Sequence, residues 1–183
     1  MNKRVLVPIA DGSEEIEAVT VIDVLRRAGA QVTVASVNEL QITASRGVRI
    51  TADCLIDACV DREFDLVVLP GGMPGAENLG RSDALKEILI RQAGSGALYA
   101  AICAAPAVVL KPHGLLAGRQ ATCHPNFADR LTDPPASDSP VVVDGNCITS
   151  RGPGTALSFA LTLVAQLFGP DRRRSVADPM VIP

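Results

Sequence analysis

Runs of β-branched and aliphatic residues alternate along the chain with segments whose apolar positions recur every three to four residues. Residues 4–9, Arg-Val-Leu-Val-Pro-Ile, form such a run, end at Asp11-Gly12-Ser13 and predict a first strand. Beyond Ser13, a fitting N-cap, Ile16, Val19, Ile22, Val24 and Leu25 give an apolar stripe at helical spacing that Gly29 closes. Residues 31–37 read as the next strand. Strand, helix and strand in so short a stretch make a βαβ unit, which winds right-handed and sets its strands parallel. The unit recurs as a strand at 64–69, a helix at 85–93, a strand at 97–102 and a helix that starts beyond Cys103.

Between the two units, residues 41–52 hold two short alternating runs around Ser45-Arg46-Gly47, which predict a hairpin at the sheet margin. Residues 120–123 read as a strand, and 141–143 with 147–149 as a hairpin turning at Asp144-Gly145-Asn146. Residues 155–167 have the spacing of a buried helix, and 133–140, rich in Pro, Ser and Asp, read as a surface loop. No boundary or repeat divides the chain, so residues 1–183 are expected to form one domain. The alternation predicts a three-layer α/β sandwich with a mostly parallel sheet, whose ligands gather beyond the carboxyl ends of its strands.

Composition narrows the class. Apolar residues make up 48% of the chain but aromatic ones only 3%, so the core is built from Ala, Val, Leu and Ile, as suits a buried parallel sheet. A net charge of −3 with scattered arginines gives no nucleic-acid face. No apolar stretch approaches the roughly 20 residues that span a bilayer, and no secretion signal opens the chain, so a cytoplasmic protein is expected. Cys54, Cys59, Cys103, Cys123 and Cys147 form no CxxC pair and read as reduced thiols. Two histidines, His113 and His124, outside any Cys/His cluster give no metal site.

Candidate chemistry falls at the carboxyl edge of the sheet. Ala100-Ala101-Ile102-Cys103-Ala104-Ala105-Pro106 runs a small-residue strand into a cysteine and then a helix. A sharp turn between small neighbours exposes such a side chain, and helix amides beyond it lower a thiol below its free value of about 8.5. A buried core cysteine is the plainer alternative. In Asp11-Gly12-Ser13-Glu14-Glu15-Ile16-Glu17, Glu14 and Glu17 share a helical face, and a carboxyl kept protonated beside the elbow would donate to a thiolate. Acidic residues also favour a helix's first turn for electrostatic reasons alone. Leu69-Pro70-Gly71-Gly72 offers close backbone approach and inward amides, or an ordinary strand-ending turn. His124 is a candidate proton carrier or a structural histidine, and Arg151-Gly152-Pro153-Gly154 lines the pocket or caps the helix that follows.

Together, residues 12–17, 69–72, 101–106 and 149–155 resemble the motifs of the ThiJ/PfpI superfamily, in order and at suitable spacing, with the likeness strongest to its YajL-like branch. The resemblance implies a flavodoxin-like (class I glutamine amidotransferase-like) fold, a homodimer and a reactive cysteine at Cys103. It implies a protonated glutamate at Glu17, a second acidic pocket residue at Glu14, amide donors at Gly72 and Ala104, a histidine at His124, and interface arginines at Arg26, Arg27 and Arg46. Peptidase-like members carry His directly after the cysteine; Ala104 stands there in this chain, which argues against proteolysis.

The expected activity is cofactor-free. Cys103 would attack 2-oxoaldehydes such as methylglyoxal, or their early adducts on proteins and nucleotides, as in deglycases and glyoxalases, while Glu17 and His124 move protons. The alternative is an oxidation sensor and stress chaperone in which Cys103 becomes a sulfinic acid.

Overall fold

The computed structural model describes residues 3–182. In chain order its strands are β1 (Arg4–Ile9), β2 (Gln31–Ser36), β3 (Gln41–Thr43), β4 (Arg49–Thr51), β5 (Cys54–Leu55), β6 (Leu66–Leu69), β7 (Leu98–Ile102), β8 (Val141–Asp144) and β9 (Cys147–Ser150). Its α-helices are α1 (Glu15–Arg27), α2 (Gly75–Gly80), α3 (Asp83–Gly94), α4 (Ala156–Phe168) and α5 (Pro170–Ala177). Seven strands form one sheet in the order β5-β2-β1-β6-β7-β9-β8, parallel except for the β8–β9 hairpin. This is a flavodoxin-like α/β arrangement. The inner strands β1, β6 and β7 are buried almost throughout, as a sheet covered on both faces requires. Helix α1 packs on α4, and α4 on α5, while α3 lies against β6 and β7 beside α2.

The order of the strands reverses between β1 and β6, which places a crevice at their carboxyl ends. Pro8 helps to open it. The carbonyls of Lys3 and Ile9 bond toward β2 and that of Arg4 toward the β6 side, so the even-numbered residues of β1 turn to β6. Pro8 has no N–H to offer there, and the β1–β6 pairing stops at Leu6↔Val67.

Several expectations are corrected. Ser13 does not cap α1; its Oγ accepts from the Ala10 amide at 3.0 Å, and Glu14 takes the capping position without a side-chain bond. The buried residues of α1 are Glu15, Glu17, Ala18, Val21, Val24 and Leu25, whereas Ile16 and Val19 are 55% and 49% exposed. The helix therefore turns a carboxylate toward the core at one end. Its other end follows expectation: Gly29, at φ +88°, donates to Arg26 O, and Ala30 donates to Leu25 O.

The 41–52 hairpin is not at the sheet margin. It is a separate two-stranded ribbon that docks on the β1–α1 loop, through Gly12 N to Thr43 O, Thr43 N to Asp11 Oδ1 and Ser45 N to Ser13 O, at 2.7–2.9 Å. Residues 120–123 form no strand. Side chains replace the ladder there, with Thr122 N donating to Thr149 Oγ1 and Gln120 N to Asp144 Oδ2. Beyond Cys103 the chain makes a short π-helical segment, Pro106–Leu110, rather than a regular α-helix.

Candidate active site

The loops leaving β1, β6 and β7 converge on Cys103. Its φ of +65° lies in the left-handed region, which a non-glycine residue enters only when its surroundings hold it. Two backbone bonds do so: Cys103 N donates to Ser150 O at 2.9 Å, and Cys103 O accepts from His124 N at 2.8 Å. Gly71 gives the elbow its room. A Cβ at Gly71 would fall 2.6 Å from Cys103 Cβ and 2.9 Å from Ile102 O. Gly72, at φ +86°, passes close to Gly12 O and would set a Cβ 2.5 Å from Glu14 N.

Glu17 is fully buried behind the cysteine. Its Oε2 accepts from Gly71 N at 2.7 Å, Oε1 has no hydrogen-bond partner among the described residues, and the carboxyl lies beside the Cys103 thiol. Burial pushes the carboxyl up to about 7; the Gly71 amide and the thiol pull it down, and the nearby Glu14 charge raises it further. The surroundings of the thiol work against the lowered value expected of an elbow cysteine. Burial pushes Cys103 up to about 12 and the charge of Glu17 adds to the rise, against the amides of Gly72 and Ala104 at the sulfur. The physical reason is burial of the sulfur beside a carboxylate, which two backbone amides do not offset.

Cys103 and Ala104 floor a cavity of about 400 Å³ whose wall includes Gly72, Glu14, His124 and Pro153. Glu14 and Glu17 thus do different things: Glu14 lines the cavity, and Glu17 stands behind the sulfur. His124 caps the short helix Pro125–Arg130, its Nδ1 accepting from Asn126 N at 3.2 Å, so the neutral ring carries its proton on Nε2. Gly152 lies against His124, as a Cβ there would meet the ring carbon Cδ2 at 3.4 Å.

Arg151 does not line the cavity. Its guanidinium turns to Asp138, reaching the carbonyl at 2.9 Å and the carboxylate at 3.6 Å. Arg26 and Arg27 are held within their own chain, by Asp53 at 3.7 Å and Asp23 at 2.6 Å. Arg46 lines the cavity of its own chain.

A family pattern described as "DJ-1/PfpI family" matches residues 3–166. The chain belongs to the DJ-1/PfpI family. It is 52% identical to Protein DJ-1 homolog B of Arabidopsis thaliana over 92% of its own length but only 39% of that protein's, so it spans about two fifths of the relative. It is 38% identical to the Caenorhabditis elegans protein named glutathione-independent glyoxalase DJR-1.2, covering 97% of this chain and 95% of the other. The oxidised DJ-1 of Toxoplasma gondii superposes with a TM-score of 0.96 at 45% identity, covering 98% of both chains. Among the described residues no helix is long and apolar enough to cross a membrane.

In this DJ-1/PfpI chain several cavity residues escape a reading of the sequence. Ser45, Met73, Asn126 and Phe127 complete the wall. Ser45 Oγ lies 2.6 Å from Glu14 Oε2 and 2.9 Å from Glu15 Oε2, and Glu15 also accepts from the Arg46 amide. Burial works to raise Glu15, but these donors and its own amide outweigh it and hold the carboxylate low. Docking of the β3–β4 ribbon brings these groups together, and no local motif announces it.

Proposed function

We propose that this chain is a cofactor-free enzyme that converts 2-oxoaldehydes such as methylglyoxal, free or as early adducts on proteins and nucleotides, into 2-hydroxy acids. The observation that carries the proposal is the buried Glu17 carboxyl, poised near neutrality beside the Cys103 sulfur under a cavity suited to a small dicarbonyl. The relative named as a glyoxalase supports the same class of reaction.

Attack begins with the thiol protonated. As the Cys103 sulfur bonds to the aldehyde carbon, its proton passes to the Glu17 carboxylate and then to the carbonyl oxygen, giving a hemithioacetal. Removal of the proton on that carbon and its return to the neighbouring carbonyl carbon, with the hydroxyl protons following, turns the hemithioacetal into a 2-hydroxy thioester. Glu17 and His124 are the carriers. Water then cleaves the thioester, releasing the hydroxy acid and restoring the thiol. The net change adds one water to the substrate and consumes no oxidant or reductant.

One observation favours a second reading, a sensor in which Cys103 is oxidised to a sulfinic acid. The amides of Gly72 and Ala104 and the Glu17 carboxyl converge on the sulfur and suit a product rich in acceptor oxygens. The raised thiol argues against it, because peroxide reacts with thiolate. In the enzyme reading the proton leaves only as the carbon–sulfur bond forms. The test is methylglyoxal consumption with lactate release. Many lactates per site, lost in Cys103→Ser, support the enzyme. Negligible turnover, with a gain of two oxygens on Cys103 in dilute peroxide, leaves the sensor.

We also propose a homodimer through the outer face of α1 and the ribbon. Ile16, Val19 and Val48 expose about half of their surface, and the Val48 amide reaches Glu15 Oε1 at 3.5 Å, which joins the two elements into one apolar face.

A further inference from the structure

Cys54 and Cys59 are five positions apart and match no redox motif, yet the fold brings their side chains together. Cys54 opens β5, the edge strand of the sheet, and the chain turns at once into the 3₁₀ helix Ile56–Cys59, whose last residue folds back on it. The two sulfurs stand 3.7 Å apart. A disulfide needs about 2.05 Å, so the gap left to close is about 1.6 Å.

The two thiols differ in the way that exchange chemistry requires. Cys54 is half-buried at the sheet edge, while Cys59 is fully buried. Arg62 places Nη1 3.7 Å from the Cys59 sulfur. That guanidinium is fixed in turn by Thr33 Oγ1 at 3.1 Å and by the Phe64 ring, whose centre lies 5.1 Å away. Burial, with Cys54 adding to it, pushes the Cys59 thiol up to about 11, and Arg62 pulls it back. A thiol of this kind is shielded from direct attack but touches the sulfur that is attacked first. Among the described residues no group of three or more His, Cys, Asp or Glu could hold a metal ion, so the pair is not part of such a cluster.

We infer that Cys54 and Cys59 form a second redox site, separate from Cys103, that closes reversibly into an intramolecular disulfide by exchange with low-molecular-weight disulfides. The Cys54 thiolate attacks one sulfur of the small disulfide, forming a mixed disulfide and expelling one thiolate. Cys59, giving up its proton, then attacks the Cys54 sulfur and expels the second small thiol. The protein loses two hydrogens, and the small disulfide is reduced to two thiols. Excess small thiol reverses both steps. Cys103 does different chemistry because its neighbour is a carboxyl.

The test treats the whole folded chain with excess glutathione disulfide, then unfolds it in urea, alkylates it with iodoacetamide and digests it with trypsin. Cleavage after Arg49 and Arg62 yields residues 50–62, which hold both cysteines and no other. The expected peptide is two hydrogens lighter and unalkylated, in wild type and in Cys103→Ser alike, and dithiothreitol restores both alkylation sites. Cys123 and Cys147, 2% and 1% exposed and with no partner thiol in contact among the described residues, take up no glutathione and are alkylated only once the chain is unfolded. In Cys59→Ser the reaction stops with one glutathione on Cys54. Wild-type protein that stops at that adduct, leaves both cysteines alkylated, or forms disulfide-linked dimers would overturn the inference.

Discussion

Replacing Glu17 by Gln removes a carboxyl that folding forces up in its titration, and the effect on stability has a definite sign. Glu17 shifts from an ordinary value of 4.5 to about 7 in the folded chain, chiefly because it is buried. Below 4.5 the group is protonated in both states and costs nothing. Between 4.5 and about 7 the unfolded chain sheds the proton while the folded chain keeps it, so stability falls as pH rises. Above about 7 the loss is complete, and at 1.36 kcal/mol per pK unit it amounts to about 3 kcal/mol as a ceiling. Gln keeps an oxygen for the Gly71 amide and carries no proton to lose. The difference in stability between variant and wild type should therefore climb through this window and level off above it, by up to about 6–12 °C in Tm for a chain of this size. Thermal or urea unfolding of both proteins across the pH range measures it, and using the difference cancels Glu15 and Asp65, whose lowered values act in the opposite direction. A difference that stays flat with pH, or falls as pH rises, would refute the assignment of Glu17 as the raised, buried acid.

Gly71→Ala should destabilise the fold by about 1–3 kcal/mol and slow alkylation of Cys103 by iodoacetamide, because the new methyl displaces the elbow; an unchanged alkylation rate would show that the elbow does not need that space. Ser45→Ala removes the hydroxyl between Glu14 and Glu15 and should cost about 1 kcal/mol in urea unfolding, with a higher KM for methylglyoxal. Ile16→Arg should convert the proposed dimer to monomer in light scattering while each chain stays folded by circular dichroism; a monomeric wild type would remove that reading.

Six of the seven sheet strands were legible as short aliphatic runs between turn residues, with parallel order following from the helices that separate them, whereas the two-residue edge strand β5 is too short to give such a run. The elbow at Cys103 was legible for a related reason, since small residues crowd one cysteine between a strand and a proline. Other features were hidden by forces that act over distance. Ile16 and Val19 match a helical stripe, but the core takes Glu17 and Ala18, because the buried acid belongs to the site rather than to the packing pattern. The ribbon's position depends on backbone bonds to Gly12 and Ser13, some thirty residues earlier. Arg151 lies beside the site in sequence, yet Asp138 draws it away. The approach of Cys54 to Cys59 depends on one turn of 3₁₀ helix, which no spacing rule encodes.

The most direct measurement of the central claim is the number of lactates released from methylglyoxal per Cys103, compared among wild type, Cys103→Ser and Glu17→Gln from mildly acidic to mildly alkaline pH. Many turnovers are predicted for wild type, with kcat/KM rising through about 7 as Glu17 ionises, none for Cys103→Ser, and a loss of about 10²-fold or more in Glu17→Gln. Lactate formed by Cys103→Ser at the wild-type rate would contradict the account.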